Sequence, residues 1–278
     1  MNDPTYYDRP VLKAPHWGWN VVTYLLLGGL TGGLGIVAAL ADPKTEGGRK
    51  LRTTARRTSL VVAIANPLLL ISHLGRPERF LHMLRTFKPG SPMSLGVWGL
   101  VAYSTTAAAS TVIEDDRLTI LQAILGAYLT GYTGVLLSAT AVPLWSAGKT
   151  HIPAASVCSS LASACALAGA ISSVTGNIGA VRKLDRLELV ATACEAAILV
   201  HFNAAGGPRV RRVVARMAVP LALALAGNLV HVPTKHVRTR TLLSAALTLT
   251  AGYIFRHALI EEGKISTKDP HAGFRQPQ

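Results

Sequence analysis

Ionisable side chains inside long apolar segments are the first residues in this sequence that could carry chemistry. Glu195 lies in the middle of LVATACEAAILVHF, Glu188 precedes it by two helical turns, and Arg256 lies near the end of the last apolar segment. Such groups are costly in a membrane-crossing segment and usually have a function or a partner. The pattern favours proton transfer by these three residues. The alternatives are structural pairing of the glutamates and snorkelling of Arg256 to the membrane surface.

A histidine and a tyrosine near segment ends are candidates for hydrogen bonds to a quinone. His16 precedes the first apolar segment, where an imidazole can exchange protons near neutral pH and bond a carbonyl oxygen. The alternative for His16 is an interfacial side chain hydrated among lipid headgroups. Tyr128 and Tyr132 share one helix face in the fourth segment. One of them can be a strut between helices, and Tyr132, nearer the segment end, can donate to a quinone oxygen.

The polar stretch from Ser72 to Gly99 separates two apolar segments and contains the motif HLGRPERF. His73 and Arg76 lie where the second segment leaves the membrane, and we expect them to line or brace a quinone pocket. Three cations further along are predicted to receive a partner protein rather than to perform chemistry: Arg79, Arg85 and Lys88.

The composition indicates a multi-spanning membrane protein. The 278 residues are 50% hydrophobic and only 15% charged, which is too apolar for one soluble domain of this length. The net charge of +14 comes from short basic clusters between apolar runs, which argues against nucleic acid and for lipid headgroups or an acidic partner protein. The three cysteines, Cys158, Cys165 and Cys194, lack CxxC spacing, so no metal or iron–sulfur site is predicted.

Apolar runs of about 20 residues predict an all-α integral membrane protein with eight transmembrane helices, arranged as two four-helix bundles in a single domain over residues 1–278. The predicted helices lie near 17–40, 55–73, 92–113, 118–142, 152–173, 184–202, 214–232 and 239–259. The first run is predicted to be retained rather than cleaved as a signal peptide.

An even number of crossings puts both termini on one side of the membrane, here called the near face, together with the Ser72–Gly99 turn. The opposite side is called the far face. Seven of the nine histidines and most tryptophans lie near the near face on this arrangement. The basic residues that follow the first helix outnumber those before it, which predicts an extracytoplasmic near face and termini.

Four motifs in the first half of the chain resemble the NrfD or polysulfide-reductase membrane-subunit family: HWGW with YLLLGGLTGG, HLGRPERF, SPMSLGVWG, and GYTGVLLSATAVPLW. The resemblance implies a quinone-reactive subunit in a prokaryotic inner membrane that binds menaquinone or ubiquinone. His16 and Tyr132 stand at the places where the family binds quinone, and Lys13 replaces an amide used by some relatives.

The resemblance also implies partner subunits. These are a four-cluster ferredoxin-like iron–sulfur protein and a catalytic subunit, commonly with molybdopterin, while this chain carries no haem or iron–sulfur cluster of its own. Two alternatives are open. A haem b anchor requires facing histidines at matching depth, and a proton-coupled transporter built around Glu195 requires a discontinuous helix or an inverted repeat.

Overall fold

The computed structural model describes residues 12–73, 78–205, 207–229 and 237–268. In these ranges the secondary structure is entirely helical, which confirms the all-α prediction. The helices are α1 (Trp19–Leu40), α2 (Glu46–His73), α3 (Glu78–Arg85), α4 (Pro92–Val112), α5 (Asp116–Ser138), α6 (Pro143–Ala147), α7 (His151–Val174), α8 (Ile178–Ala205), α9 (Pro208–Leu229) and α10 (Val237–Ser266).

A long helix occupies each of the eight predicted segments, but several helices extend beyond the apolar runs. Residues 46–54, which precede the predicted second helix, form the first turns of α2, which continues through Pro67 to His73. Arg52 pairs with Asp116 at the start of α5, and Arg56 donates to Thr119 one turn later. Because α5 supplies partners for these cations, the helix can begin in a charged sequence. The short helices α3 and α6 lie in segments predicted to be loops.

Within the described ranges, six helices are long and apolar enough to cross a membrane: α1, α2, α5, α7, α8 and α10. Helix α4 contains many Ser, Thr and Gly residues among its apolar ones, which lowers its mean hydropathy. Helix α9 begins with a cluster of arginines. Neither helix is therefore among the six. Large apolar side chains are exposed on the outer faces of several helices, including Val61, Ile64, Val190 and Val219. An apolar exterior of this kind suits lipid as the surrounding solvent.

The helices pack in a regular order along the chain. Helices α1, α2, α4 and α5 contact one another in a ring, and so do α7, α8, α9 and α10. Helix α1 also packs against α7 and α10, and α5 packs against α7, so these helices connect the two groups. The first helix therefore has neighbours in both halves of the chain.

A buried hydrogen-bond network joins the first four long helices on the side toward the far face. The Tyr103 hydroxyl donates to the Thr31 carbonyl over 2.6 Å and lies 2.6 Å from the Ser59 hydroxyl. The Gln122 amide donates to Tyr103 over 3.2 Å and accepts from Ser110 over 2.7 Å. Each of the four helices contributes at least one group, so the network fixes their mutual register.

Candidate functional site

A buried guanidinium is the centre of the candidate site. Arg256 on α10 is 2% exposed and donates to the Gly252 carbonyl over 2.9 Å. It also donates to two hydroxyls of α7, at 2.9 Å to Ser160 and 3.4 Å to Ser159. Arg256 is therefore bound between helices, and the snorkelling geometry considered from the sequence is not the one it adopts.

Glu195 lies on the other side of Ser159 from this guanidinium. Its side chain, on α8, is 5% exposed and interacts with the Ser159 hydroxyl and with the charge of Arg256. The carboxylate and the guanidinium are not in direct ion-pair contact. The α7 serine lies close to both groups, and its hydroxyl can both donate and accept a hydrogen bond. The arrangement is a buried charge pair with a hydroxyl beside both groups.

Two glycines of α1 provide the space for this polar layer. A Cβ at Gly29 would overlap the Ser160 hydroxyl and lie 2.9 Å from Nη2 of Arg256. Gly28 faces α2 and α5, in the first half of the chain. A Cβ at Gly28 would lie 3.2 Å from the Asn66 amide nitrogen. Asn66 is 1% exposed. Because neither glycine has a side chain, polar groups from both halves of the chain approach the α1 backbone at one level.

Glu188 lies seven residues before Glu195 in the sequence, which is about 10 Å along α8 toward the far face. It is 3% exposed and accepts a 2.6 Å hydrogen bond from Thr248 of α10. Thr192, between the two glutamates, donates to the Glu188 carbonyl over 2.8 Å. The three buried residues share one face of α8, as the spacing predicts, and both glutamates face α10 or α7.

Tyr132 is 7% exposed, and its hydroxyl donates to the Pro92 carbonyl over 2.7 Å at the first residue of α4. Its ring occupies the space that a Cβ at Gly96 would need, and it stacks on Tyr128 with ring centroids 5.7 Å apart. Tyr128 is 41% exposed. The role of strut between helices, which the sequence left open for one of the two tyrosines, is filled by Tyr132.

His16 is exposed and precedes α1. The next residue, Trp17, stacks on Trp145 of α6 with ring centroids 5.1 Å apart. Tyr132 is next in sequence to Thr133, which lies beside Gly28, nine residues inside α1 and thus about 14 Å from its start. The structure therefore places Trp17, next to His16, against α6, and it places Tyr132 against α4.

Comparison of the sequence with known protein families bears on the role of these buried groups. The NrfD-type polysulfide reductase family matches residues 5–268. The chain belongs to this family. The match confirms the resemblance and extends it from the first four long helices to α10. Among curated proteins, none matches the chain.

NrfD-type polysulfide reductases are quinone-interacting membrane subunits of oxidoreductase complexes with partner subunits. The present NrfD-family chain is accordingly a multi-pass membrane protein, as its several long apolar helices also indicate.

Part of the predicted near-face site of the NrfD-family chain lies outside the described residues. This applies to Arg76 and to the side chains of His73 and Arg79. Arg85 and Lys88 are exposed, at the end of α3 and shortly after it. They are accessible for docking, as the sequence predicts, but their role stays a prediction.

Sequence reasoning did not single out the partners of Arg256. Ser159 and Ser160 lie in an apolar helix, where serine usually bonds its own backbone, and Gly29 lies in a glycine stripe that indicates packing. The available signal is the pair of adjacent serines in α7 at a depth that matches Gly29. It becomes visible only once the register between α1 and α7 is known.

Glu262, a buried carboxylate near the near face of the NrfD-family chain, was also not predicted from the sequence. Its side chain is 1% exposed and lies 3.2 Å from Arg216 and 3.6 Å from Arg212, which are half exposed on α9. These two arginines lie among the cations of the near face. Because Glu262 offsets part of their charge, they are weaker candidates for docking an acidic partner than Arg85 and Lys88.

His201 and His151 form a further contact at the near-face ends of α8 and α7. Nδ1 of His201 lies 3.0 Å from Nε2 of His151, and the His151 ring stacks on Phe202. The haem b alternative requires facing histidines, and these two face each other on neighbouring helices. In this arrangement one ring nitrogen of His201 is engaged by another histidine.

Proposed function

We propose that this chain is the membrane-anchoring, quinone-reactive subunit of a multi-subunit oxidoreductase. It exchanges electrons between menaquinone or ubiquinone and a docked four-cluster iron–sulfur subunit, while a molybdopterin-type catalytic subunit acts on the substrate. The observation that carries the proposal is the buried layer of Tyr132, Ser159, Glu195 and Arg256 at the level of the α1 glycines, in a chain of the NrfD family.

The hydrogen bonding of Tyr132 fits the reduced form of a quinone. The phenol hydrogen is used by the Pro92 carbonyl, but the phenol oxygen retains a lone pair that can accept from a quinol hydroxyl. A quinone carbonyl only accepts, so Tyr132 must turn its hydrogen away from Pro92 to bind it. We therefore expect quinol to bind without rearrangement. A bound quinol supplies electrons and protons when it is oxidised.

The proposed proton path begins at Glu195. Its carboxylate can take a proton through the Ser159 hydroxyl, and the neighbouring Arg256 guanidinium stabilises the ionised form. Glu188, which Thr248 holds on the side toward the far face, is the next acceptor. The spacing of about 10 Å along α8 is too long for direct transfer, so a hydroxyl or water must bridge the two carboxyls.

We assign His16, His73 and Arg76 to the near-face entrance of the quinone site, where an imidazole can exchange protons with water. The cations Arg79, Arg85 and Lys88 are proposed to receive the iron–sulfur subunit.

The proposal further comprises eight crossings in two four-helix bundles, a single domain and both termini outside the cytoplasm of a prokaryotic inner membrane. The ring contacts within each group of four helices support this arrangement.

Replacing Tyr132 by Phe, with Tyr128→Phe as its matched control, tests the quinone site. Tyr132→Phe loses one neutral hydrogen bond, so the free energy of unfolding should fall by only about 1 kcal/mol. The quinol-linked turnover of the assembled complex in liposomes should fall at least tenfold, whereas Tyr128→Phe should leave it nearly unchanged. If turnover with Tyr132→Phe equals that of the unmodified complex, the assignment of Tyr132 is wrong. His16→Ala is assayed in the same way and should slow turnover less.

A further inference from the structure

A cavity lies at the far face, on the opposite side of the molecule from the proposed quinone site. It has a volume of about 320 Å³ and is bounded by the end of α1, the α1–α2 turn and the first turns of α8. Its walls are of two kinds. Val37, Leu40, Leu184 and Leu187 make an apolar side.

The polar side of the cavity contains one carboxylate, Asp42, and one ammonium group, Lys183, together with Thr45 and Asn177. No ion pair joins Lys183 to another described residue. Asp42 accepts from the Lys44 backbone through Oδ1, which leaves its second carboxylate oxygen available. The cavity rim therefore offers one negative and one positive group that do not neutralise each other.

The cavity walls are fixed by local hydrogen bonds. The Asn177 amide donates to the Gly47 carbonyl over 2.7 Å, and its oxygen accepts from the Ala180 backbone over 3.3 Å. A Cβ at Gly47 would lie 2.9 Å from the Asn177 amide oxygen, so the two loops meet closely only with glycine here. Because both loops are tied together, the cavity is a built feature of the fold.

The position of the cavity matches a membrane surface. Helix α1 ends at Leu40 and α8 begins at Ile178, and both are long and apolar enough to cross the bilayer. Leu187 lies more than two turns inside α8, so the apolar wall extends toward the hydrocarbon region. Asp42 and Lys183 lie at the helix ends, where lipid headgroups meet water.

We propose that this cavity binds the headgroup of a zwitterionic phospholipid with a primary ammonium group, as in phosphatidylethanolamine. Lys183 contacts the phosphate, Asp42 accepts hydrogen bonds from the ammonium group, and the acyl chain follows Leu40 and Leu187. The volume is at the lower end of the range for small-molecule pockets, about 300–1,000 Å³, which suits a headgroup rather than a whole lipid.

Charge and hydrogen bonding disfavour phosphatidylglycerol and phosphatidylcholine. An anionic headgroup without an ammonium leaves Asp42 beside a second negative charge. A quaternary ammonium, as in phosphatidylcholine, has no N–H to donate to Asp42. The proposal depends on the membrane placement of α1 and α8 and is independent of the quinone site.

Native mass spectrometry of the full-length chain in mild detergent tests the proposal, with titration of phosphatidylethanolamine, phosphatidylglycerol and phosphatidylcholine. We expect one phosphatidylethanolamine to be retained, with a dissociation constant at least tenfold lower than for the other two. Lys183→Ala should weaken phosphatidylethanolamine binding at least tenfold, and Asp42→Asn should abolish the preference for it over phosphatidylcholine. Arg182→Ala, at the exposed neighbouring position, is the control and should change nothing.

A steric variant tests the cavity without removing a charge. A Cβ at Gly179, on the rim, meets no atom within 4 Å, so a side chain can start there without a clash, and Gly179→Leu is the variant chosen to fill the rim. Its thermal unfolding should match that of the unmodified chain while its lipid retention falls at least tenfold. Phosphatidylglycerol binding as tight as that of phosphatidylethanolamine overturns the proposal. So does full lipid retention by Lys183→Ala or by a folded Gly179→Leu variant.

Discussion

The link between Arg256 and Glu195 through Ser159 can be measured with a double-mutant cycle. Arg256→Met keeps much of the length of the side chain but removes the guanidinium, and Glu195→Gln keeps the shape of the carboxyl group but removes its charge. Each single variant leaves one buried charge without its partner, whereas the double variant leaves none. The cycle therefore isolates the energy of the pair from the cost of each substitution.

The structure sets the expected size of the coupling. The two charged groups are not within ion-pair distance, and for a separation of about 5–6 Å at an effective dielectric constant near 20 the attraction is about 3 kcal/mol. Polar side-chain pairs measured within membranes reach at most about 1.7 kcal/mol, because the unfolded state also finds partners. We therefore expect a favourable coupling of about 1–2 kcal/mol. Arg256→Met alone should cost about 2–4 kcal/mol, since it also removes bonds to Ser160 and Gly252.

The assay is reversible unfolding of the purified chain in mixed micelles of a mild detergent and dodecyl sulfate. Fluorescence of the four tryptophans, among them Trp145, which is fully buried and stacked on Trp17, reports the transition. Arg186→Met, at an exposed position of α8, is the matched control and should change the free energy of unfolding by less than about 0.5 kcal/mol. Effects of Arg256→Met and Glu195→Gln that add within 0.5 kcal/mol would refute the coupling and, with it, the proposed relay through Ser159.

Two further substitutions test the packing that supports the site. Gly29→Ala should destabilise the fold by about 1–2 kcal/mol because its methyl group meets Ser160, whereas Gly131→Ala, with its nearest neighbour at 3.4 Å, should be neutral or stabilising in the same unfolding assay. Equal effects would contradict the close approach at Gly29. Tyr103→Phe should lower the free energy of unfolding by about 2 kcal/mol because it removes the buried hydroxyl. Tyr128→Phe should lower it by less than about 0.5 kcal/mol. Equal unfolding curves for these two variants would argue against the Tyr103 network.

The sequence predicts the helices well because each long apolar run is a separate segment. It misplaces the start of α2 because counting apolar residues ends a helix where charges begin. Arg52 and Arg56 remain helical since Asp116 and Thr119 on α5 bind them. For the same reason α10 extends past the predicted end at residue 259, where Lys264 pairs with Glu261 in its last turns.

The candidate site is predictable only in part. The burial of Glu188 and Glu195 follows from their apolar neighbours in the sequence, and the structure agrees. The bond from Tyr132 to Pro92 and the contact of Arg256 with Ser160 depend on how far each helix is shifted along its neighbour. Short-range pattern carries no information on that shift, so these partners emerge only from the packed structure.

The glycines of α1 bear on how this protein can move. At Gly33 the α1 backbone meets the Ser160 carbonyl of α7, a helix of the other group, and a Cβ at Gly33 would lie 2.8 Å from that oxygen. A side chain could change rotamer to absorb a displacement, but two backbones in contact cannot. A carrier that opens alternately to each side of the membrane needs its halves to slide or rock, and this seam resists sliding. We expect any charge transfer in this chain to occur by protons and side chains moving between helices that stay in place.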